Sequence, residues 1–336
     1  MKAMVLDKTD KIENNPLKLK DIDFKDPVKK EILIKNISCG VCRSNLHMIE
    51  GDWNTYGVPG KLPIIPGHEI IGRVEELGED VTVLKKGDMV GVQPLYEACG
   101  KCEYCLNGRE NLCPYGKYTG ESVDGGYAEY MIANSDYVNK IPANIDPMES
   151  PLLCPGVTAY SAIKKAEICP GKTVYIVGIG GVGHIAIQIA KLYGAHIVAV
   201  TTSKNHEELA YKMGADESVI LNNDYSNSEA IKGSADSVVI FAPNDEAIKH
   251  SMKFVKDGGI VVQGVIGNLG VILSPRELTI KGTKIGTRSE VNEVLKLAAS
   301  HKIKIEYKKY ALEEANQSLR DLKDGKINGR AILTFK

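Results

Sequence analysis

Nothing in these 336 residues draws the chain to a membrane or a nucleic acid. No apolar run approaches the ~18–20 residues of a spanning helix. An excess of one charge is missing too: 42 Lys and Arg stand against 43 Asp and Glu, a net charge of −1. No field therefore pulls the whole chain onto phosphate backbones or anionic lipid. There is no internal repeat and no low-complexity tract, which sets repeat architectures aside. Met1-Lys-Ala-Met-Val-Leu-Asp7 alternates like a strand and lacks a signal-peptide core. The expectation is a cytoplasmic, reducing setting and a small-molecule partner.

In such a setting eight cysteines suggest metal rather than disulfides. Four fall within fifteen residues, as Cys99-x-x-Cys102-x-x-Cys105-x7-Cys113. Two-residue gaps let neighbouring thiolates converge on one ion, and the longer gap lets the chain swing back to close a tetrahedron. A closed four-thiolate site leaves no open position, so its role is structural. An iron–sulfur cluster uses the same ligands. Zinc is preferred, because nothing nearby suggests electron transfer.

The second dense feature is glycine. The apolar strand Val174 to Val177 runs into Gly178-x-Gly180-x-x-Gly183, and residues 183–193 carry apolar positions at helical spacing. Strand, glycine turn and helix in one run make a dinucleotide cradle. Gly178 permits the turn, Gly180 with Gly181 and Val182 lets backbone approach a pyrophosphate, and Gly183 lets helix pack on strand. The helix N-terminus then faces the phosphates.

The ribose-reading acid belongs at the end of the next strand, about 20 residues on. That strand, 195–200, ends in Thr201-Thr202-Ser203-Lys204 with no carboxylate. Hydroxyls and an ammonium welcome a 2′-phosphate that a carboxylate would repel. NADP(H) is therefore expected over NAD(H).

The texture changes along the chain. Residues 1–150 carry short strands, among them 31–37, 69–75 and 88–92, broken by turn signals. From about Pro151, strand and helix alternate, which implies a parallel sheet with helices on both faces. After about 285 that rhythm fades into helices at 290–301 and 312–324 and a strand at 329–335.

Cys39-Gly-Val-Cys42-Arg-Ser-Asn-Leu-His47, Pro66-Gly-His68-Glu69 and Leu153-Cys154-Pro-Gly-Val-Thr158 complete the pattern. With the cysteine loop and glycine turn in the same order, the whole chain resembles the zinc-dependent medium-chain alcohol dehydrogenases, in particular the cinnamyl-alcohol-dehydrogenase-like branch. That resemblance implies an α/β plus β fold. A GroES-like β-barrel catalytic zinc domain, 1–150 and 286–336, would accompany a doubly wound Rossmann domain, 151–285. It implies a catalytic zinc on Cys42, His68 and Cys154, with Glu69 able to approach or transiently bind the metal, and so two zinc ions per chain.

It also implies a proton relay through Ser44 and His47. Arg43 and Arg330 would lie near the pyrophosphate, Thr158 beside the nicotinamide, and backbone around Val265 near the cofactor. The reaction implied is hydride transfer between NADP(H) and an alcohol, aldehyde or ketone. Trp53 either walls the substrate pocket or is a hydrophobic anchor. Cys39 and Cys169 read as packing residues, and His184, His196, His206, His250 and His301 as surface or packing residues. Family members form homodimers or homotetramers through a sheet edge, with Val261 to Leu273 the apolar candidates here.

One residue departs from the family: Asn45 stands where aspartate is usual beside the ligand histidine. An amide there leaves the ligand less basic and the zinc more electrophilic. Two other readings stay open. Sugar and polyol dehydrogenases share the catalytic metal motifs. A metal- or nucleotide-binding module without turnover would need the cysteine loop and the glycines, but not Cys42, His68 and Cys154 with Ser44.

Overall fold

The computed structural model describes residues 1–300 and 302–335, so His301 lies outside the described residues. The chain divides into two compact units. Unit one comprises Met1–Cys154, Thr287–Ala299 and Ile305–Lys336, and unit two Pro155–Gly286 and Ser300–Lys304.

Unit one opens with the antiparallel pair β1 (Lys2–Leu6) and β2 (Leu17–Asp21). The long β3 (Glu31–Val41) leads into α1 (Arg43–Glu50). Then come β4 (Ile70–Leu77), β5 (Met89–Val92), β6 (Leu95–Glu97), the single-turn α2 (Glu103–Leu106), β7 (Lys117–Tyr118), β8 (Tyr130–Asn134) and β9 (Val138–Lys140). β3 is almost wholly buried, as a strand paired along both edges must be. Its ladder with β4 shifts register between Leu33 and Ile34 and again between Asn36 and Ser38. Such bulges bend a strand and re-aim its end. The end of β3 delivers Cys39, Gly40 and Val41 to the core, with Cys42 at the mouth of α1.

Unit two runs α3 (Pro155–Lys165), β10 (Thr173–Val177), α4 (Gly183–Leu192), β11 (His196–Thr201), α5 (Lys204–Met213), β12 (Glu217–Ile220), β13 (Ala235–Ile240), α6 (Asp245–Phe254), β14 (Val255–Gln263) and β15 (Thr279–Gly282). The six strands are all parallel, in the order β12-β11-β10-β13-β14-β15. This is the doubly wound order, and its switch point lies between β10 and β13. β10 and β11 are apolar and buried along nearly their whole length, as parallel strands covered on both faces should be.

The chain then returns to unit one with α7 (Arg288–Ala299), β16 (Tyr307–Ala311), α8 (Ala315–Lys323) and β17 (Arg330–Thr334). Unit one's main sheet has the order β16-β17-β3-β4-β5-β9, with β8 also on β3. β17 lies antiparallel to β3, Ala331 opposite Val41, which sets Arg330 beside the residues leading to Cys42.

Two expectations are corrected. Cys169 is exposed rather than packed, because it sits in the turn that precedes β10, closed by Lys172 N–H to its carbonyl. Val261 is fully buried inside β14, and β15 is the edge of the sheet. The exposed apolar residues are Ile266, Val271, Ile272 and Leu273, in the loop entering β15.

Candidate active site and metal centres

Three stretches of unit one converge on one buried point. Cys42 caps α1, His68 and Glu69 immediately precede β4, and Cys154 ends the segment after β9. The ligand atoms of Cys42, His68, Glu69 and Cys154 all lie within 4.8 Å of one another. His68 is 1% and Glu69 0% exposed. The Cys42 thiol is pulled well below its ordinary value by the hydrogen bond to Cys154, and His68 lends further support against burial. The same bond, with burial, pushes Cys154 up. A cation bound there would draw both thiols to thiolates.

Glu69 sits behind this group. Burial raises its carboxyl to about 7, although Arg330 pulls the other way. Arg330 Nη2 donates to Glu69 Oε1 at 2.6 Å and Oε2 at 2.8 Å, and to the Val41 carbonyl at 2.9 Å. The side chain of Arg330 is 4% exposed. Expected near a pyrophosphate, Arg330 is here the buried counter-ion of Glu69. Room for that carboxylate comes from Gly40, where a Cβ would collide with it. Arg43 donates to the Leu322 carbonyl at 3.1 Å.

Around the cluster, Ser44 Oγ lies 3.5 Å from His68 Nε2. His47 lies one turn further along α1 and is half-buried. Its Nδ1 meets Asp52 Oδ2 at 2.8 Å, and its ring stacks on Trp53 with centroids 5.4 Å apart. Trp53 also packs against the core of unit one. Cys39 is fully buried, and burial pushes its thiol far up.

The cysteine loop forms a second cluster. Sγ–Sγ separations are 3.5 Å for Cys102–Cys105, 3.8 Å for Cys102–Cys113 and 4.0 Å for Cys99–Cys105. A tetrahedral zinc with Zn–S of ~2.3 Å requires sulfurs about 3.8 Å apart, whereas a disulfide needs about 2.05 Å. The spacing fits a cation. Backbone N–H groups already point at the sulfurs: Cys102 N to Cys99 Sγ at 3.4 Å and Cys99 N to Cys113 Sγ at 3.5 Å. The Lys101 N–H above all, with that of Cys102, brings Cys99 down to about 6.

In unit two the glycine turn sits at the switch point. Gly178 has φ +92°, and at Gly183 a Cβ would strike the Gly178 carbonyl. A Cβ at Gly180 would meet nothing within 4 Å, so that face is open to a ligand. Val182 caps α4, with Gly181 beside it in the turn. His184 is fully buried and its Nδ1 lies 2.8 Å from the Gly180 carbonyl, pinning the turn from below.

The chain matches the family described as alcohol dehydrogenase GroES-like domain over residues 28–143 and zinc-binding dehydrogenase over 181–300. It is 40% identical to an alcohol dehydrogenase of Geobacillus stearothermophilus, covering 100% of this chain and 99% of that one. The chain belongs to the zinc-dependent medium-chain alcohol dehydrogenase family. The alcohol dehydrogenase of the archaeon Aeropyrum pernix superposes with a TM-score of 0.91 at 30% identity, over 100% of both chains. Acetophenone reductase from Geotrichum candidum, solved with NAD, gives 0.87 at 28%, over 99% of this chain and 97% of that one.

In this alcohol dehydrogenase chain the strand that follows α4 is β11, whose end carries the residues expected to read the ribose. Thr201 is nearly buried and its Oγ1 accepts from Ser203 N at 3.2 Å. Thr202 and Lys204 are exposed. Ser203 stands at the N-cap of α5 without spending its hydroxyl on the cap. Thr158 lies on α3, and Val265 just beyond β14 packs partly against the core. Three contacts were missed from sequence: Asp52 on His47, Tyr127 on Asn45, and Arg330 on Glu69. The short Asp52 spacing was readable, since it follows the cap of α1. Tyr127 carried no signal.

Proposed function

We propose that this family member interconverts alcohols with aldehydes or ketones, using NADP(H) in preference to NAD(H) and holding one catalytic and one structural zinc. Unit one would carry both metals and unit two the cofactor. The observation that carries the catalytic reading is the buried meeting of Cys42, His68, Glu69 and Cys154. Zinc bound there supplies a Lewis acid for the oxygen of an alcohol or carbonyl, and NADPH supplies the hydride.

The chain's own residues do the rest. Cys42, His68 and Cys154 would hold the metal, and two thiolates would balance its charge. Three ligands leave one position for substrate. Ser44, beside His68, exchanges the substrate proton. His47 passes a proton to solvent through Nε2, because Asp52 occupies Nδ1. Glu69, paired with Arg330, stands next to the ligands, its carboxylate within 4.8 Å of their ligand atoms.

The NADP(H) reading rests on the end of β11, where Thr202, the free cap hydroxyl of Ser203 and Lys204 meet the N-terminus of α5 with no carboxylate among them. Within the family this leans towards aldehyde-reducing members resembling cinnamyl alcohol dehydrogenases. The NAD-bound acetophenone reductase makes the cofactor the point to test. An aldehyde and ketone panel run with NADPH and NADH in parallel should give kcat/KM at least about tenfold higher with NADPH; a preference for NADH would overturn the cofactor assignment. A homodimer or homotetramer would form on β15 and the exposed loop Ile266 to Leu273, and light scattering on a Val271→Lys variant reads its loss.

A further inference from the structure

The helix that starts at Arg43 ends in a tight cap, and that cap folds back onto His47. Gly51 closes α1 in the left-handed region, at φ +81°. Its N–H donates to the Met48 carbonyl at 3.1 Å, and the Asp52 N–H donates to the His47 carbonyl at 2.9 Å. These are the two bonds of a Schellman cap. They lay the residue after the glycine over the histidine one turn back. Asp52 thus meets His47 twice, through its N–H at the carbonyl and through Oδ2, 2.8 Å from Nδ1 of the ring.

Trp53 follows directly. Its ring is stacked on the imidazole, with centroids 5.4 Å apart and planes 26° from parallel. Its carbonyl accepts from the Tyr56 N–H at 2.9 Å and the Val58 N–H at 3.3 Å, and the residue packs against the core of unit one. The platform beside the imidazole is therefore fixed. A carboxylate can only accept, so Nδ1 carries the proton of the Asp52 bond. In a neutral ring the lone pair is then on Nε2, which no described residue engages. The side chains of His47 and Asp52 are 32% and 42% exposed, and a pair so exposed adds little stability. What it fixes is a direction.

We infer that the cap of α1 is also a positioning device for the proton relay: Asp52 holds His47 by Nδ1–H, Trp53 holds the plane of the ring, and Nε2 is the one nitrogen that exchanges protons. The inference rests on the reading of His47 as a relay. A proton taken up at Nε2 leaves from Nε2 to water. The Nδ1–H bond to Asp52 is kept throughout, so the ring ends each turnover in the tautomer in which it began. Without Asp52 the neutral ring carries its proton on either nitrogen and swings about its Cβ–Cγ bond, and the lone pair is misplaced for part of the time. Asp52 and Trp53 are positioning residues.

The test measures alcohol oxidation by the zinc-loaded full chain in wild type, Asp52→Ala, His47→Gln and the double variant. Asp52→Ala should lower kcat about tenfold, the worth of one charge-assisted hydrogen bond, and leave the KM for the alcohol unchanged. Raising triethanolamine at constant pH and ionic strength should restore kcat in Asp52→Ala and His47→Gln and leave wild type unmoved, because a mobile base replaces a misplaced one. Added to His47→Gln, Asp52→Ala should cost nothing more. An undiminished kcat in Asp52→Ala beside a lowered one in His47→Gln would overturn the positioning role. So would a loss that added base does not restore, or an equal loss from Asp52→Ala in both backgrounds, as a purely structural pair would give. An undiminished kcat in His47→Gln would instead remove the relay reading, and the positioning role with it. Nitrogen-15 shifts of the His47 ring at alkaline pH, assigned by their absence in His47→Gln, should report Nδ1–H in wild type and a mixture of tautomers in Asp52→Ala. Nε2–H in wild type would overturn the inference without any measurement of turnover.

Discussion

Cys99, Cys102, Cys105 and Cys113 lie within fifteen residues, and two local turns bring them together. Cys42, His68, Glu69 and Cys154 come from three distant stretches and meet only because β3, β4 and the segment after β9 are packed side by side. Cys99, Cys102 and Cys105 are partly exposed and Cys113 is buried, and backbone N–H groups steady the sulfurs of Cys99 and Cys113. The second cluster is buried and backed by an ion pair, Glu69 with Arg330, and by the amide of Asn45. On the proposed reading, the contiguous cluster would close around its metal and serve stability, and the dispersed one would keep an open position for chemistry.

Removing one thiol from each cluster should break the comparison most visibly. Cys42→Ala should cut turnover about a thousandfold, since Lewis-acid assistance is worth several kcal/mol and each 1.36 kcal/mol is tenfold, while far-UV circular dichroism stays unchanged. Cys102→Ala should leave turnover at low temperature largely intact and lower the melting temperature instead. Similar losses in both variants would erase the distinction.

The charges behind the clusters should differ almost as much. Arg330→Ala leaves Glu69 buried and unpaired, and denaturant unfolding should show a loss of about 3–5 kcal/mol. Near the loop, Lys117 and Glu97 pair at 3.1 Å with both side chains exposed. Lys117→Ala should therefore cost under about 1 kcal/mol. Equal costs would contradict the burial argument.

In unit two, Lys204→Ala should raise the KM for NADPH on the order of tenfold, as loss of a charge-assisted contact implies, and leave the KM for NADH alone. A parallel rise for both cofactors would show that Lys204 does not read the 2′-phosphate.

One further effect separates acid unfolding from acid loss of metal. Asp321 belongs to neither cluster. The Tyr310 hydroxyl, at 2.7 Å, holds its carboxyl below the ordinary value, with Gln317 and Lys308 helping. A lowered folded-state value contributes stability above the unfolded value of about 4 and loses it as pH falls through the folded one. Asp321→Asn should thus cost about 1.5 kcal/mol at pH 7, and the gap to wild type should close below about pH 4. A constant gap from pH 7 to pH 3 would rule out the ionic contribution.

Much of this was legible because some signals are local. The cysteine loop and the glycine turn are set by spacing along one stretch, and the alternation of strand and helix announces a parallel sheet. The meeting of Cys42 with His68 and Cys154 is not a spacing property, and only resemblance pointed to it. The Arg330–Glu69 and Tyr127–Asn45 contacts were unseen for the same reason: they come from β17 lying on β3 and from a buried ring reaching Asn45. Edge and interior strands were confused around Val261 because a buried central strand and an exposed apolar loop have similar composition.

The most direct test of the account is zinc content and turnover measured together on wild type and Cys42→Ala. Wild type should hold two zinc ions per chain and reduce an aldehyde with NADPH. Cys42→Ala should hold one, stay folded and turn over about a thousandfold more slowly. Two retained zinc ions with undiminished turnover in Cys42→Ala would contradict it.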